Sequence, residues 1–176
     1  SDNLSNLLNN ASPNTKLFFA SSSEIFGISA ENRLLNESSE RHPMNPYAIS
    51  KLSADYFIKM YRNKYEIFAC SGILFNHESP LRSGYFVSRK ITEGVAKLKF
   101  GSNVPLNLGN FGSSRDWGSA LDYVKAMKLM LTLDTPEDFI IATGKLSSVS
   151  DLLKIASLEA GFDPIFEGVG ENRKCI

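Results

Sequence analysis

The sequence predicts an α/β fold in which a mostly parallel sheet carries helices on its faces. Three short apolar runs, at residues 16–20, 67–75 and 139–142, are typical of strands that are buried on both sides. Segments with apolar residues at helical spacing separate these runs. Because strands that alternate with helices favour parallel pairing, the sequence indicates an α/β domain.

The first half of the chain combines short regular elements with long polar segments. Residues 2–10 carry leucines on one side and are predicted to be the end of a helix that precedes the first strand. Residues 27–44 are polar and irregular, and a loop of this length suggests function rather than mere connection. Pro46 suits the first turn of a helix, which is predicted to continue through residues 47–64.

The second half of the chain contains more helical segments. Apolar residues recur at helical spacing in residues 86–99, 120–133 and 149–160, and Gly161 is a typical residue for the end of the last helix. Residues 104–108 are predicted to form a short strand. The alternation of strand and helix therefore extends through the chain.

Length and charge exclude several classes of protein. The 176 residues suffice for one domain with a substantial core. Because 19 basic and 19 acidic residues give a net charge of zero, the charge does not favour general binding to nucleic acid or an anionic membrane. No apolar run approaches the ~20 residues of a membrane span, and the first residues lack a signal-peptide pattern. We therefore expect a cytoplasmic protein. Cys70 and Cys175 are the only cysteines and predict neither a disulfide framework nor a metal site.

The chemistry that the sequence suggests begins with Tyr47 and Lys51. These residues are four positions apart, so in a helix they lie on one face, where the ammonium can stabilise the phenolate. Tyr47 could then accept a proton near neutral pH. Such a pair also occurs by chance on amphipathic helices, so its surroundings decide its meaning.

A dinucleotide-binding glycine turn is missing from the sequence. No Gly-x-Gly-x-x-Gly spacing occurs, and the glycines at 109 and 112 lie after the Tyr47 helix, where such a turn is not expected. We therefore expect the chain to be the central to carboxyl-terminal part of a larger protein, without its first cofactor-binding strands.

Six segments, in order along the chain, carry a family resemblance. They are ASSSEIFG at 20–27, NPYAISK at 45–51, FACSGILFNHESP at 68–80, FVSRKI at 86–91, RDWG at 115–118 and DFIIATG at 138–144. Together they resemble the GDP-mannose 4,6-dehydratase family, a branch of the extended short-chain dehydrogenase/reductases. The NHESP sequence, followed by an Arg-Lys helix, is the most specific of these features.

The resemblance implies a role for four residues in catalysis on GDP-mannose. Tyr47 would remove the C4 hydroxyl proton, Lys51 would support Tyr47 and hold the nicotinamide ribose, and Ser22 would hydrogen-bond the same sugar oxygen. Glu24 would remove the C5 proton and assist loss of the C6 hydroxyl. Related epimerases commonly have a small or apolar residue at the position of Glu24, so the glutamate favours dehydration; its alternative is a solvated loop carboxylate.

The resemblance also implies ligand contacts and an assembly. His77 and Arg82, like Tyr47 and Lys51, would contact NADP, and the residues expected near GDP-mannose are Asn76, Lys90 and Arg115. A hydrogen-bonded loop histidine and surface ion pairs are the alternatives for these positions. A homodimer or homotetramer is expected for the full-length protein.

The resemblance divides the predicted Rossmann-like domain, residues 1–176, into two parts. Residues of about 1–75 and 120–144 would form the sheet, and about 76–119 and 145–176 a smaller substrate-binding part. Two other functions stay open. One is a related nucleotide-sugar epimerase or 4-keto reductase, and the other is a truncated, non-catalytic domain that retains the fold.

Overall fold

The computed structural model describes residues 6, 9, 10, 12, 14–30, 34–168 and 174–175, so most of the predicted helix at 2–10 lies outside the described residues. The chain divides into two compact units. The first comprises Ser1–His77 and Ala120–Ala142, and the second comprises Glu78–Ser119 and Thr143–Ile176.

The regular elements follow one another in a mixed order of strands and helices. They are β1 (Leu17–Ser22), a 3₁₀ segment (Ser23–Ala30), α1 (Pro46–Tyr65), β2 (Ala69–Leu74), β3 (Asn76–Glu78), α2 (Val87–Lys99), β4 (Ser114–Ser119), α3 (Ala120–Met130), β5 (Phe139–Ile141), β6 (Leu146–Ser148), α4 (Val149–Ala160), β7 (Phe166–Glu167) and β8 (Lys174–Cys175).

The first unit is built on a parallel sheet with β2 at its centre. β2 pairs in parallel with β1 on one side and with β5 on the other. Ser22 is paired with Leu74, and Leu74 with Ile141, so the carboxyl ends of the three strands lie level. Ligands of open α/β sheets bind at this end. The predicted α/β fold with a parallel sheet is confirmed.

Helices cover both faces of this sheet. Ile58 of α1 packs with Ala69 of β2, whereas Tyr123 of α3 packs with the next residue of the strand, Cys70. Because successive side chains of a strand point to opposite faces, α1 and α3 lie on opposite sides of the sheet. All six residues of β2 are buried, which explains why its sequence shows no polar alternation.

The second unit has its core between α2 and α4. Ile91 and Val95 of α2 form a buried cluster with Val149 and Leu153 of α4. A capping box between Ser148 and Asp151 starts α4, and the other end is Gly161, as predicted.

One sequence prediction for this unit is wrong, and its strands β4, β6, β7 and β8 were not predicted. Residues 104–108 form no strand; Leu106 and Leu108 pack their side chains against the core cluster without strand pairing. The strand β4, by contrast, has the polar sequence SRDWGS and pairs antiparallel with β6. Its pairing depends on contacts of Asp116 that hydrophobic periodicity does not report. Within the residues described, no helix combines the length and apolar content needed to cross a membrane.

Candidate functional site

The candidate site of the first unit begins where β1 ends. The chain turns from Ser22 into the 3₁₀ segment, and the Glu24 amide donates a hydrogen bond to Ser22 Oγ over 3.3 Å. The Glu24 side chain is exposed. Gly27, at φ 48°, kinks the segment, and a Cβ there would lie 1.7 Å from the carbonyl oxygen of His42. Only glycine fits this turn without displacing the loop.

Asn45 connects the Glu24 carboxylate to the start of α1. Its Oδ1 accepts a hydrogen bond of 2.8 Å from the Ala48 amide, which makes Asn45 the N-cap of the helix. Its Nδ2 donates to Glu24 Oε2 over 3.1 Å. The carboxylate is therefore held beside the first turn of the helix that carries Tyr47. No role for Asn45 followed from the sequence alone.

Tyr47 and Lys51 lie on successive turns of α1. The Tyr47 side chain is open to solvent, with 54% of the residue exposed. Lys51 Nζ lies 5.6 Å from the centre of the Tyr47 ring and 5.1 Å from that of Phe19. It also donates a hydrogen bond of 2.8 Å to the carbonyl oxygen of Ala20 in β1. This contact brings the helix face with Tyr47 and Lys51 to the strand that ends in Ser22.

His77 lies in β3, just beyond the end of β2. Its Nδ1 is 2.9 Å from the carbonyl oxygen of Phe75, and its ring stacks on that of Tyr123 with 4.9 Å between centroids. A carbonyl oxygen can only accept, so Nδ1 must carry the hydrogen, and Nε2 of the neutral ring is an acceptor. Asn76, the neighbouring residue in β3, is half-buried.

The other predicted binding residues belong to the second unit. Arg82 Nε is 3.2 Å from Glu78 Oε2, and its guanidinium lies 3.5 Å from the centre of the Phe86 ring. Lys90 is exposed on α2. Arg115 is exposed on β4 and donates to the carbonyl oxygen of Ser114 over 2.7 Å.

A cleft of about 490 Å³ lies next to Arg82 in this unit. Its wall includes Arg89, Thr92, Trp117 and Leu152, and Ser88 donates a hydrogen bond of 2.6 Å to Glu78 Oε2 at its edge. Neither Lys90 nor Arg115 is among the residues that line it.

Asp55 and Ser21 form a buried contact that was not predicted from the sequence. Ser21 Oγ donates a hydrogen bond of 2.7 Å to Asp55 Oδ2, and both residues are buried. Burial raises the pKa of the Asp55 carboxyl, and the hydroxyls of Ser21 and Ser71 and the charge of Arg41 oppose this only in part. The sequence shows only that Tyr47, Lys51 and Asp55 are four residues apart each time, which does not reveal that Asp55 faces Ser21.

A second carboxylate, that of the half-buried Asp138, joins α1 to the sheet. Arg62 of α1 binds it through two hydrogen bonds of 2.9 and 3.0 Å, and the Ser71 amide of β2 donates a third over 2.8 Å. Burial by itself would raise the pKa of Asp138. The Arg62 hydrogen bonds, the Ser71 amide and the charges of Arg62 and Lys59 outweigh it and lower the pKa below its ordinary value.

Asp116 has the corresponding structural role in the second unit. Its carboxylate accepts hydrogen bonds from the amides of Thr143 and Gly144 and from the Thr143 hydroxyl, at 2.7 to 3.1 Å. These bonds hold β4 against the turn before β6, next to the position of Arg115.

Comparisons with known proteins agree on one family. A protein-family model described as GDP-mannose 4,6 dehydratase matches residues 3–175. The GDP-mannose 4,6-dehydratase of Vibrio cholerae is 44% identical over 162 residues, which cover 92% of this chain and 43% of the relative. The human GDP-mannose 4,6 dehydratase is 44% identical over 157 residues, which cover 89% of this chain and 42% of the relative. The chain thus spans less than half the length of these relatives.

Two solved structures share the fold. A structure of RMD from Pseudomonas aeruginosa in complex with NADPH superposes with a TM-score of 0.78 at 25% identity, covering 82% of this chain and 50% of that one. A dTDP-glucose 4,6-dehydratase from Bacillus anthracis in complex with NAD gives a TM-score of 0.77 at 21% identity, covering 90% and 50%. Both chains are about twice as long as the matched region.

Proposed function

Because the chain belongs to the GDP-mannose 4,6-dehydratase family, we propose that the full-length protein converts GDP-mannose into GDP-4-keto-6-deoxy-mannose. One observation supports this above the others: the Asn45 side chain holds the Glu24 carboxylate at the first turn of the helix that carries Tyr47 and Lys51. Dehydration needs both a base for the C4 hydroxyl and a carboxylate for the C5 proton, and these two groups lie at one end of the sheet.

The first step of the proposed reaction is oxidation at C4 of the hexose. Tyr47 is exposed and so can reach a bound sugar, and as a phenolate it would take the proton of the C4 hydroxyl. Lys51 would support the phenolate from the next turn of the helix. Ser22 would hydrogen-bond the same hydroxyl from the end of β1. Lys51 Nζ is anchored to the Ala20 carbonyl oxygen, which fixes the distance between helix and strand at this point.

The second step is loss of water across C5 and C6. The C4 ketone acidifies the C5 proton, which Glu24 would remove as a general base and then deliver to the departing C6 hydroxyl. Proton and hydroxyl leave together as water, and a C5–C6 double bond remains for reduction. A 4-epimerase needs no such base, which is why Glu24 favours a dehydratase.

The residues in the first unit fit a nicotinamide cofactor. A bound NADP would supply the chemistry of accepting the C4 hydride and returning it to C6. Lys51 and Tyr47 would hold the nicotinamide ribose, and the Nε2 of His77, an acceptor because Nδ1 donates to Phe75, suits an amide or hydroxyl donor. Arg82 is the residue of the second unit that we assign to NADP; its guanidinium suits a phosphate.

The GDP part of the substrate requires cations and polar groups. Lys90 and Arg115 are exposed cations whose charge suits a pyrophosphate, and we assign them, with Asn76, to GDP-mannose. Because Asp116 fixes the strand next to Arg115, the arginine backbone is held in place while its side chain remains exposed.

The proposed assembly is a homodimer or homotetramer in the cytoplasm. Ile49, Tyr56 and Met60 of α1 are exposed by 52%, 59% and 45% and recur at helical spacing, which leaves an apolar stripe outside the core. A stripe of this kind on two copies of the helix can pair with itself about a two-fold axis.

The test is product analysis with full-length protein, GDP-mannose and NADP. We expect a sugar nucleotide that has lost one water, detected by mass. A product of unchanged mass with inverted C4 would identify an epimerase, and absence of both cofactor binding and turnover would identify a non-catalytic domain. Tyr47→Phe is expected to prevent C4 oxidation, whereas Glu24→Gln is expected to permit oxidation, with transient NADPH absorbance, and to block water loss.

A further inference from the structure

Two neighbouring residues at the end of β1 are bound by two side chains of α1. Lys51 Nζ donates to the Ala20 carbonyl oxygen over 2.8 Å, and Ser21 Oγ donates to Asp55 Oδ2 over 2.7 Å. Lys51 and Asp55 are one helical turn apart, so both project from the same face of α1. The end of the strand is thereby fixed through its backbone at one residue and through its side chain at the next.

Burial of the Asp55 carboxylate is unfavourable for the stability of the fold. Asp55 is 2% exposed and Ser21 is 3% exposed, so the carboxylate has lost its water. Burial raises its pKa, and the charges acting on it are those of Arg41, which opposes that effect, and Asp138, which adds to it. No described lysine or arginine forms an ion pair with Asp55. A buried carboxylate with a hydroxyl as its hydrogen-bond donor costs free energy that an apolar side chain would not.

The position of this contact in the chain connects it to the candidate catalytic residues. Ser21 directly precedes Ser22, whose Oγ accepts the hydrogen bond of the Glu24 amide. A change in the backbone at Ser21 therefore shifts the turn that carries Glu24. Errors of about 1 Å in the placement of reacting groups can lower a rate ~100-fold.

We propose that Asp55 is a positioning residue that, by accepting the Ser21 hydroxyl, fixes Ser22 and Glu24 relative to the helix of Tyr47 and Lys51. Asp55 does not touch substrate in this role. The inference rests on the proposed function for its effect on turnover, but its effect on the strand end can be measured without turnover.

The test compares Ser21→Ala, Asp55→Asn and Asp55→Leu in the full-length protein, with Thr132→Ala as the control that also removes a hydroxyl. Thr132 is exposed, and among the described residues its hydroxyl donates only to the carbonyl oxygen of Leu129 in its own turn, so its loss should leave kcat unchanged. We expect Ser21→Ala and Asp55→Leu to lower kcat ~10-fold with KM for GDP-mannose within about 2-fold. Asp55→Asn keeps a carbonyl oxygen as acceptor and should retain kcat within about 3-fold.

The double variant Ser21→Ala with Asp55→Leu separates positioning from independent damage. Because both changes remove the same contact, kcat of the double variant should be no lower than that of the worse single variant. The proposal would be overturned if the double variant lost kcat by the product of the two single losses. It would also be overturned if folded Ser21→Ala and Asp55→Leu each had the kcat of wild type. If the role of the contact were purely structural, the substitutions would lower Tm and leave kcat per folded molecule unchanged.

Amide hydrogen exchange provides the measurement that does not depend on activity. The amides of Ser22 and Glu24 should exchange faster in Ser21→Ala and Asp55→Leu than in wild type, Asp55→Asn or Thr132→Ala, well below Tm. If the wild-type protein does not dehydrate GDP-mannose, the proposed function is wrong, and exchange still decides the positioning role. Unchanged exchange in Ser21→Ala and Asp55→Leu refutes it.

Discussion

The contact between Arg62 and Asp138 allows a quantitative prediction for stability. Asp138 accepts two hydrogen bonds from Arg62 and one from the Ser71 amide, and its side chain is only 10% exposed. Asp138→Asn keeps the shape and an acceptor oxygen but removes the charge. A hydrogen bond to a charged group is worth ~1 kcal/mol more than a neutral one. All three hydrogen bonds are weakened in this way, and the loss is partly offset because the Asn variant avoids the cost of burying a carboxylate. We therefore expect a net loss of about 2 kcal/mol in the free energy of unfolding at pH 7.

The effect should weaken at low pH. The folded-state pKa of Asp138 is lowered, so its contribution to stability is complete above the unfolded pKa of ~3.9 and is lost as pH falls through the lowered folded value. Urea unfolding of full-length wild type and Asp138→Asn from pH 7 to pH 3 measures this. Asp122→Asn is the control, because Asp122 pairs with Lys125 at 2.8 Å on the exposed surface and should cost less than ~0.5 kcal/mol. A loss for Asp138→Asn no larger than that of the control, or one that persists unchanged to pH 3, would refute the reasoning.

Three further predictions concern buried or strained positions. Burial raises the pKa of Asp55, so its ionised form opposes folding at neutral pH. The free energy of unfolding of Asp55→Asn in urea should therefore equal or exceed that of wild type at pH 7, and this difference should fall as the pH is lowered. Gly27→Ala should lower the free energy of unfolding by more than ~2 kcal/mol, because φ is 48° and the new Cβ clashes with the His42 carbonyl. Gly101→Ala, which is also at positive φ but has open space around it, should lower it by only about 1 kcal/mol. Burial raises the pKa of the Cys70 thiol to about 11, so Cys70 should react with iodoacetamide only on unfolding, as peptide mass mapping would show; rapid labelling of the native protein would contradict this.

The sequence predicted the elements whose signal is local and missed those that depend on distant contacts. α1 was predicted for residues 47–64 and is Pro46–Tyr65, because Pro46 and the apolar spacing both act within the helix. β4 was missed because its polar sequence gives no strand pattern. Its pairing with β6 is supported by Asp116, whose donors Thr143 and Gly144 lie 27 and 28 positions away in the chain.

The candidate site shows the same division. The spacing of Tyr47 and Lys51 follows from helix geometry, so the sequence alone placed them on one face. Asn45 was visible in the motif, but its bond to Glu24 spans 21 residues and a loop whose path the sequence does not specify. Asp55 was hidden for a different reason: an acidic residue on an amphipathic helix is ordinarily exposed, and only the fold reveals that it faces Ser21.

The loop that joins Glu24 to Asn45 is itself attached to the sheet, and this attachment helps to fix the position of Glu24. Glu37, in the middle of this loop, accepts a hydrogen bond of 2.8 Å from the Ile140 amide of β5. Gly27 lies directly against the carbonyl of His42 near the other end of the loop. The loop is therefore held to β5 at one point and to the 3₁₀ segment at another, so the Glu24 to Asn45 contact does not depend on a single hydrogen bond. Because a carboxylate on a freely moving loop would be a poor base at a defined carbon, these attachments support the proposed transfer of the C5 proton to Glu24.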